Sequence, residues 1–213
     1  MNSLSRYIIN PIRNRFNIAK NESREHRKLE IGPGPERIDG FETVNIVADS
    51  HVDYVCDAAK KLPFKTGTFD LIYSSHILEQ ISWYQTERTL KEWVRILKPN
   101  GKLQIWVPNG LKIAAAFVDA ETKDGESWLE DDWFRFNDAK DPCVWASGRT
   151  FTYGDGTGDP TSPNWHRALF SPRYLSLLMR TAGLTDLRTM TPDDVLGHDH
   201  GWINLGIEGT KAS

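Results

Sequence analysis

The run EIGPGP, residues 30–35, holds the first residues in the chain whose types could do chemistry. Gly32 and Gly34 have no side chain to keep a ligand off the backbone. Glu30, just upstream, offers a carboxylate that would repel phosphates and attract an ammonium or sulfonium group. The plain alternative is a surface acid at a strand end. A dinucleotide-binding loop would place a third glycine where this chain has Arg37, and would open a long helix there. The stretch from Pro35 to Phe41 leaves room for barely two turns, so it has little helix dipole to offer a pyrophosphate. A nicotinamide-dependent oxidoreductase is therefore disfavoured.

The elements that must position this loop follow from period and punctuation. Short apolar bursts read as strands at KLEI, ETVNI, VDYVC, TFDLIYSS, KLQIWVP, LTDLRTM and WINLGIEGT. KLQIWVP is apolar throughout and is expected at the centre of the sheet, covered on both faces. In TERTLKEWVRILKPNG, Leu90, Trp93, Val94 and Leu97 recur at i, i+3, i+4 and i+7, with Thr86 as the expected N-cap. A second helix, SPRYLSLLMRTAG, has Ser171 as N-cap, Pro172 at its first position and Gly183 as its stop. Strand and crossover alternating in this way predict an α/β fold: a Rossmann-like, doubly wound, mostly parallel seven-stranded sheet with an antiparallel final strand. Ligands bind such sheets beyond the carboxyl ends of the strands. The residues that fall there are Gly32–Gly34, Asn45, Asp57, Ser74–His76 and Pro108–Asn109, joined by the loop GHDHGW before the last strand.

Composition narrows the class. With 213 residues and no internal repeat, one domain spanning 1–213 is expected. A net charge of −3 argues against a dedicated nucleic-acid binder. The cysteines, Cys56 and Cys143, form neither a disulfide framework nor a ligand cluster. Cys56 reads as a buried thiol, and a reducing cytoplasm is the plain location. No apolar run is long enough to span a bilayer.

Two segments depart from the alternation. Residues 3–20 carry arginines and no acid, and read as an N-terminal amphipathic helix with Ile8, Ile12 and Phe16 on one side, with Pro11 a candidate kink. Targeting or membrane-surface contact is the competing reading. Residues 111–165 are acidic, then glycine-rich, and are threaded with Trp128, Trp133, Phe134, Phe136, Trp145, Tyr153 and Trp165. A long irregular insertion of this kind is expected to be functional, here as a lid over an acceptor. The bland reading makes its aromatics a small core of their own.

LEIGPG, then Asp57 within VCDAAKKLPFKTGTFDLIYSSHILEQI, then LKEWVRILKPNGKLQIWVPN resemble class I S-adenosylmethionine-dependent methyltransferases, closest to the methyltransferase-11-like group. The resemblance covers residues 28–109 and is fainter beyond. It implies S-adenosyl-L-methionine as cofactor. Glu30, Gly32 and Gly34 then match the loop at its methionine end. Asn45 falls where an acid normally binds both ribose hydroxyls. Asp57 matches the acceptor for the adenine amino group, with Ala58 supplying backbone. Ser75 and His76 match the segment near the reactive methyl. Gln80 stands where the family has a second histidine. Asn45 can accept one ribose hydrogen bond but not two, a loss of about 1–2 kcal/mol in cofactor affinity. That weakens a site without abolishing it.

The reading that results is a methyltransferase acting on a small molecule or saccharide, at oxygen, by in-line transfer. A hydroxyl acceptor needs a base, and histidine is the usual choice. The candidates are His76, after the fourth strand; His166, where the insertion returns to the core; and His198 and His200, with Asp199 between them as the carboxylate to hold one. No metal site is expected. A partner subunit that keeps the fold without turnover is the alternative, motivated by Asn45 and Gln80. The basic N-terminal helix would dock over the cofactor or against a second subunit, which would make a homodimer.

Overall fold

The computed structural model describes residues 10–151 and 162–213. Ile8, Tyr153 and most of the glycine-rich part of the insertion lie outside the described residues. The strands are β1 (Lys28–Ile31), β2 (Glu42–Asn45), β3 (Tyr54–Val55), β4 (Phe69–Ser75), β5 (Leu97–Pro108), β6 (Leu184–Thr189) and β7 (Asn204–Lys211). They form one seven-stranded sheet in the order β3-β2-β1-β4-β5-β7-β6. Every pairing is parallel except the two made by β7. This is the architecture that the alternation of strands and crossovers predicts. The winding reverses between β1 and β4, which puts a crevice at their carboxyl ends.

The helices are α1 (Asn10–Asn21), α2 (Thr86–Ile96), α3 (Gly110–Lys123), α4 (Pro142–Phe151) and α5 (Pro172–Thr181). Helix α2 lays Leu90, Trp93 and Val94 into the main core, with Leu29, Ile31, Ile72, Leu103 and Ile105 from the sheet and Leu175, Leu178 and Met179 from α5. Full burial of each large side chain contributes about 1.5–3 kcal/mol. Ser171 caps α5 by accepting from the Tyr174 N–H at 3.3 Å, and Gly183 closes it at φ +99°. Thr86 is not the cap of α2. Gln85 holds that position, and Thr86 is inside the helix with its hydroxyl donating to the Trp83 carbonyl. The far face of the sheet is covered too, since Trp106 of β5 packs with Phe41, Tyr73 and Met190.

Helix α1 reverses the sequence expectation. Its inward stripe is Asn10, Asn14, Asn17 and Asn21, whereas Ile12 and Phe16 are 63% and 68% exposed. The cause is the edge strand it covers, whose unpaired backbone groups need partners more than they need apolar cover. Asn14 accepts from the Val55 N–H at 2.9 Å and donates to its carbonyl at 3.1 Å. Asn17 donates to the Asp53 carbonyl, and Asn21 reaches Glu42 and Tyr54. Pro11 sits in the first turn, where it costs no helical hydrogen bond, so it makes no kink.

The insertion is also not irregular over its described residues. Helix α3 follows β5 directly, with Asn109 Oδ1 accepting from the Lys112 N–H as N-cap. A 3₁₀ turn at Ser127–Asp131 and helix α4 follow. The alanine run 114–116 favours helix in a way that the acidic and aromatic composition conceals. Trp128 and Trp145 bury themselves with Ile113, Ala116 and Ile203 in a second core. For those two tryptophans the bland reading holds.

Candidate active site

The residues expected to hold a cofactor lie at the carboxyl ends of β1, β2 and β3. No helix follows β1; the stretch 32–41 is turn and coil. Gly32, at φ +76°, donates to the Val44 carbonyl, and a Cβ there would lie 2.0 Å from the Ile77 side chain. Its missing side chain therefore makes room for Ile77, not for a ligand. Gly34 is different: a Cβ on it would meet nothing within 4 Å, so its backbone faces open space.

Glu30 is neither a surface acid nor a free one. It is buried and accepts from the Ile38 N–H at 2.9 Å, which pins the loop. Burial raises its pKa, against the pull of that N–H and of Arg37 and His51. Arg37, at the position a dinucleotide loop gives to glycine, pairs with Asp53 at 2.9 Å. Among the described residues the Asn45 side chain makes only long bonds, to the Pro33 carbonyl and from the Val47 N–H, each 3.4 Å. His51, which sequence reasoning missed, reaches the Gly34 carbonyl at 2.9 Å from a polar loop that carries no motif.

The Asp57 side chain is 32% exposed, with Oδ1 accepting from the Ala59 N–H and Oδ2 3.5 Å from Lys60. The Ala58 carbonyl accepts from the Trp93 indole at 3.0 Å, which anchors this turn to the core. Ser75 ends β4, with its hydroxyl on the Tyr73 phenol. Cys56 is half-buried against the core, its pKa pushed up to about 12 by desolvation and the neighbouring Asp57.

The histidines expected to face an acceptor begin one residue beyond β4. His76 has φ +53°, a conformation rare for a side-chain-bearing residue. Its carbonyl accepts from Gln80 Nε2 at 2.8 Å, which gives the departure at position 80 a structural role. The His76 Nε2 is hydrogen-bonded to Asn204 Oδ1 at 2.8 Å, whereas Nδ1 lies 3.2 Å from Glu79 Oε1, a buried carboxylate that makes no hydrogen bond among the described residues. Asn204 Nδ2 in turn donates to Asp199 Oδ1 at 2.6 Å. The carboxylate expected to hold His198 or His200 thus holds Asn204, and a second carboxylate, that of Glu79, lies close to His76 without a hydrogen bond to it. Glu79 fastens the returning insertion, because its carbonyl accepts from the Arg167 and Ala168 N–H groups.

His200 stacks on His76 with ring centres 3.7 Å apart, and His198 meets it edge-on at 4.7 Å. Burial and the neighbouring His76, His198, Arg149 and His166 push the His200 pKa down to about 3. His166 is buried, with Nδ1 3.3 Å from the Arg149 carbonyl, and burial lowers its pKa as well. His76, His166, His198 and His200 therefore converge on one cavity of about 600 Å³, which also takes in Arg149 and Trp202. Neither Arg149 nor its partner Asp131, 18 residues earlier, follows any spacing a sequence reading could use. Among the described residues, no group of three or more His, Cys, Asp or Glu is arranged to hold a metal ion. No described helix is long and apolar enough to cross a membrane.

A family model described as a methyltransferase domain matches residues 32–105. Curated proteins give no significant sequence match. Among solved structures, a Burkholderia thailandensis 1,6-didemethyltoxoflavin N1-methyltransferase, bound to that compound and S-adenosylhomocysteine, superposes with TM-score 0.52 at 15% identity. That match covers 97% of this chain and 79% of the other. The CurJ carbon methyltransferase gives TM-score 0.51 at 16% identity, covering 96% and 54%. A Thermotoga maritima S-adenosylmethionine-dependent methyltransferase gives TM-score 0.45 at 20% identity, covering 98% and 96%. The sheet order thus gives the chain the Rossmann-like fold of these solved methyltransferases, and residues 32–105 are similar to a methyltransferase domain.

Proposed function

We propose that the chain methylates a small molecule or saccharide, at oxygen, with S-adenosyl-L-methionine as donor. The observation that carries the reading is the adjacency of two unlike sites at one sheet edge. An open backbone at Gly34 stands beside Asn45 and Asp57, and a histidine-lined cavity opens after β4 and β5.

The residues fit the donor. Gly34 leaves space for its amino-acid end, and Asn45, held only by long bonds, has capacity left for a ribose hydroxyl. Asp57 keeps an exposed carboxylate to accept from the adenine amino group. Glu30 and Gly32 act one step back, by fixing the loop. The bound donor supplies an electrophilic methyl on a sulfonium. The chain supplies orientation and exclusion of water, which is most of what an in-line displacement requires.

Neutral His200 is the proposed base for an acceptor hydroxyl, with His76 stacked beneath it as a positioning residue. His76 already commits its Nε2 to Asn204. The long, weak contacts of Asn45 favour an active site over a silent partner subunit. The helix-free stretch 32–41 favours this donor over a nicotinamide dinucleotide.

Calorimetry tests the reading. Saturable binding of S-adenosylhomocysteine, lost or much weakened in Asp57→Ala, with no binding of NAD, is the expected result. Binding of NAD in preference, or no effect of Asp57→Ala, would contradict it.

A further inference from the structure

We propose that the acceptor carries a carboxylate, and that Arg149 receives it at the inner wall of the histidine cavity. This rests on the methyltransferase reading of that cavity and adds the charge class of the molecule it takes.

Arg149 lies in the last turn of α4 and is fixed on two sides. Its Nε donates to Asp131 Oδ2 at 2.5 Å, and the same oxygen accepts from the Trp145 indole at 2.8 Å. The Asp131 side chain is 2% exposed, so this anchor is deep in the protein. The Trp133 ring lies 4.5 Å from the guanidinium carbon, a cation–π contact that sets the plane of the group. Trp133 can lie there because the neighbouring residue is Gly148, where a Cβ would fall 2.4 Å from the ring. Asp131 engages one nitrogen of the guanidinium, and the group lines the cavity. Among the described residues, its two terminal nitrogens make no hydrogen bond. A guanidinium fixed in this way is pre-organised for a planar, two-pronged acceptor.

The surroundings select the anion. Arg149 imposes its charge on both His166 and His200, against the opposite pull of Glu79 on His166. Towards the mouth stand the carboxylates Glu130 and Asp199, opposed there by Arg135. One compensated arginine within and acids at the rim suit a singly charged carboxylate better than a doubly charged phosphate. Trp133 and Trp202 give the rest of such a molecule flat apolar walls. The bound carboxylate would also offset the positive field on His200, moving it towards the pKa range in which a base works.

The test titrates the full chain with benzoate, benzamide and phenyl phosphate, and separately with S-adenosylhomocysteine. Benzoate is expected to bind at least about tenfold more tightly than benzamide, the worth of a charge-assisted pair, and more tightly than phenyl phosphate. Arg149→Gln should abolish that preference and leave S-adenosylhomocysteine affinity as in the unaltered chain. Arg149→Lys, which keeps a cation for Asp131 if the glutamine variant fails to fold, should weaken benzoate several-fold. Absence of benzoate binding, equal binding of benzamide, or a preference that survives Arg149→Gln or is undiminished in Arg149→Lys would overturn the proposal. Tighter binding of phenyl phosphate would replace the carboxylate with a phosphate. Loss of S-adenosylhomocysteine binding in a folded Arg149→Gln would assign the guanidinium to the cofactor instead. Because the benzoate arm needs no cofactor, its failure is separate from failure of the methyltransferase reading.

Discussion

The two halves of the sheet edge are built by opposite means. On the cofactor side, β1, β2 and β3 are joined by coil, and single polar side chains hold the backbone in place: Glu30 on Ile38, His51 on Gly34, Asn14 on Val55. On the acceptor side, helices α3 and α4 carry a second core of Ile113, Trp128 and Trp145, and that core supports the cavity wall. Hydrogen bonds to backbone set a loop's shape in detail but add little net stability each, whereas buried aromatic area adds stability without fixing any one loop. The first half should therefore fail locally when altered, and the second should fail as a unit.

The largest expected effect belongs to the acceptor half. Trp145→Ala removes a fully buried ring and leaves Asp131 without its indole partner, at a cost of about 3–5 kcal/mol in urea unfolding. Affinity for S-adenosylhomocysteine should survive under conditions where the variant is folded. A loss below 1 kcal/mol (about what a surface change costs) would mean that the second core is not a structural unit.

Next in size is a contrast within the cofactor half. Gly32→Ala forces a Cβ into Ile77 at a positive φ, which should cost about 2–4 kcal/mol from strain and overpacking combined. Ile77→Ala should restore part of that stability. Gly34→Ala should leave thermal stability unchanged and weaken S-adenosylhomocysteine binding, since its Cβ meets only open space. If both glycines behave alike, their division of roles is wrong.

Smaller still is the gain from Asn45→Asp. A carboxylate accepts from both ribose hydroxyls, so affinity should rise about tenfold, or about 1–2 kcal/mol. Calorimetry showing no gain would remove Asn45 from the ribose position.

The smallest effect is on acid stability, because carboxylates titrate in the same range. His200 stays neutral in the folded chain down to about 3, while in the unfolded chain it protonates near 6.5. The unfolded state then binds the extra proton between those values, so stability falls as pH drops through that window. Groups facing it include His76, His198, His166 and Arg149, all of which raise the cost of a charge there. His200→Phe keeps the stack on His76 and should flatten the decline in denaturation followed from pH 7 to pH 4. An unchanged slope would mean that His200 is not held neutral.

The same contrast governs how much could be read from the residues. The sheet, α2 and α5 follow from periodicity and caps because each is decided by neighbours in the chain. The placing of Gly34, Asn45 and Asp57 at neighbouring strand ends follows for the same reason. Helix α1 misleads because apolar spacing at Ile12 and Phe16 suggests an inner face, while the asparagines spaced 10, 14, 17 and 21 answer an edge strand decades of residues away. The proximity of Glu79 to His76 is local, but the bond that fixes the ring goes to Asn204, more than a hundred residues on. Arg149 and Asp131 are brought together only by the packing of Trp133 and Trp145, which no local pattern encodes.

The most direct test of the central claim is a crystal structure of the protein with S-adenosylhomocysteine. The account predicts adenine beside Asp57, ribose at Asn45, the amino-acid end over Gly34, and the sulfur directed at the cavity of His76 and His200. Density for the ligand elsewhere, or a sulfur turned away from those histidines, would contradict it.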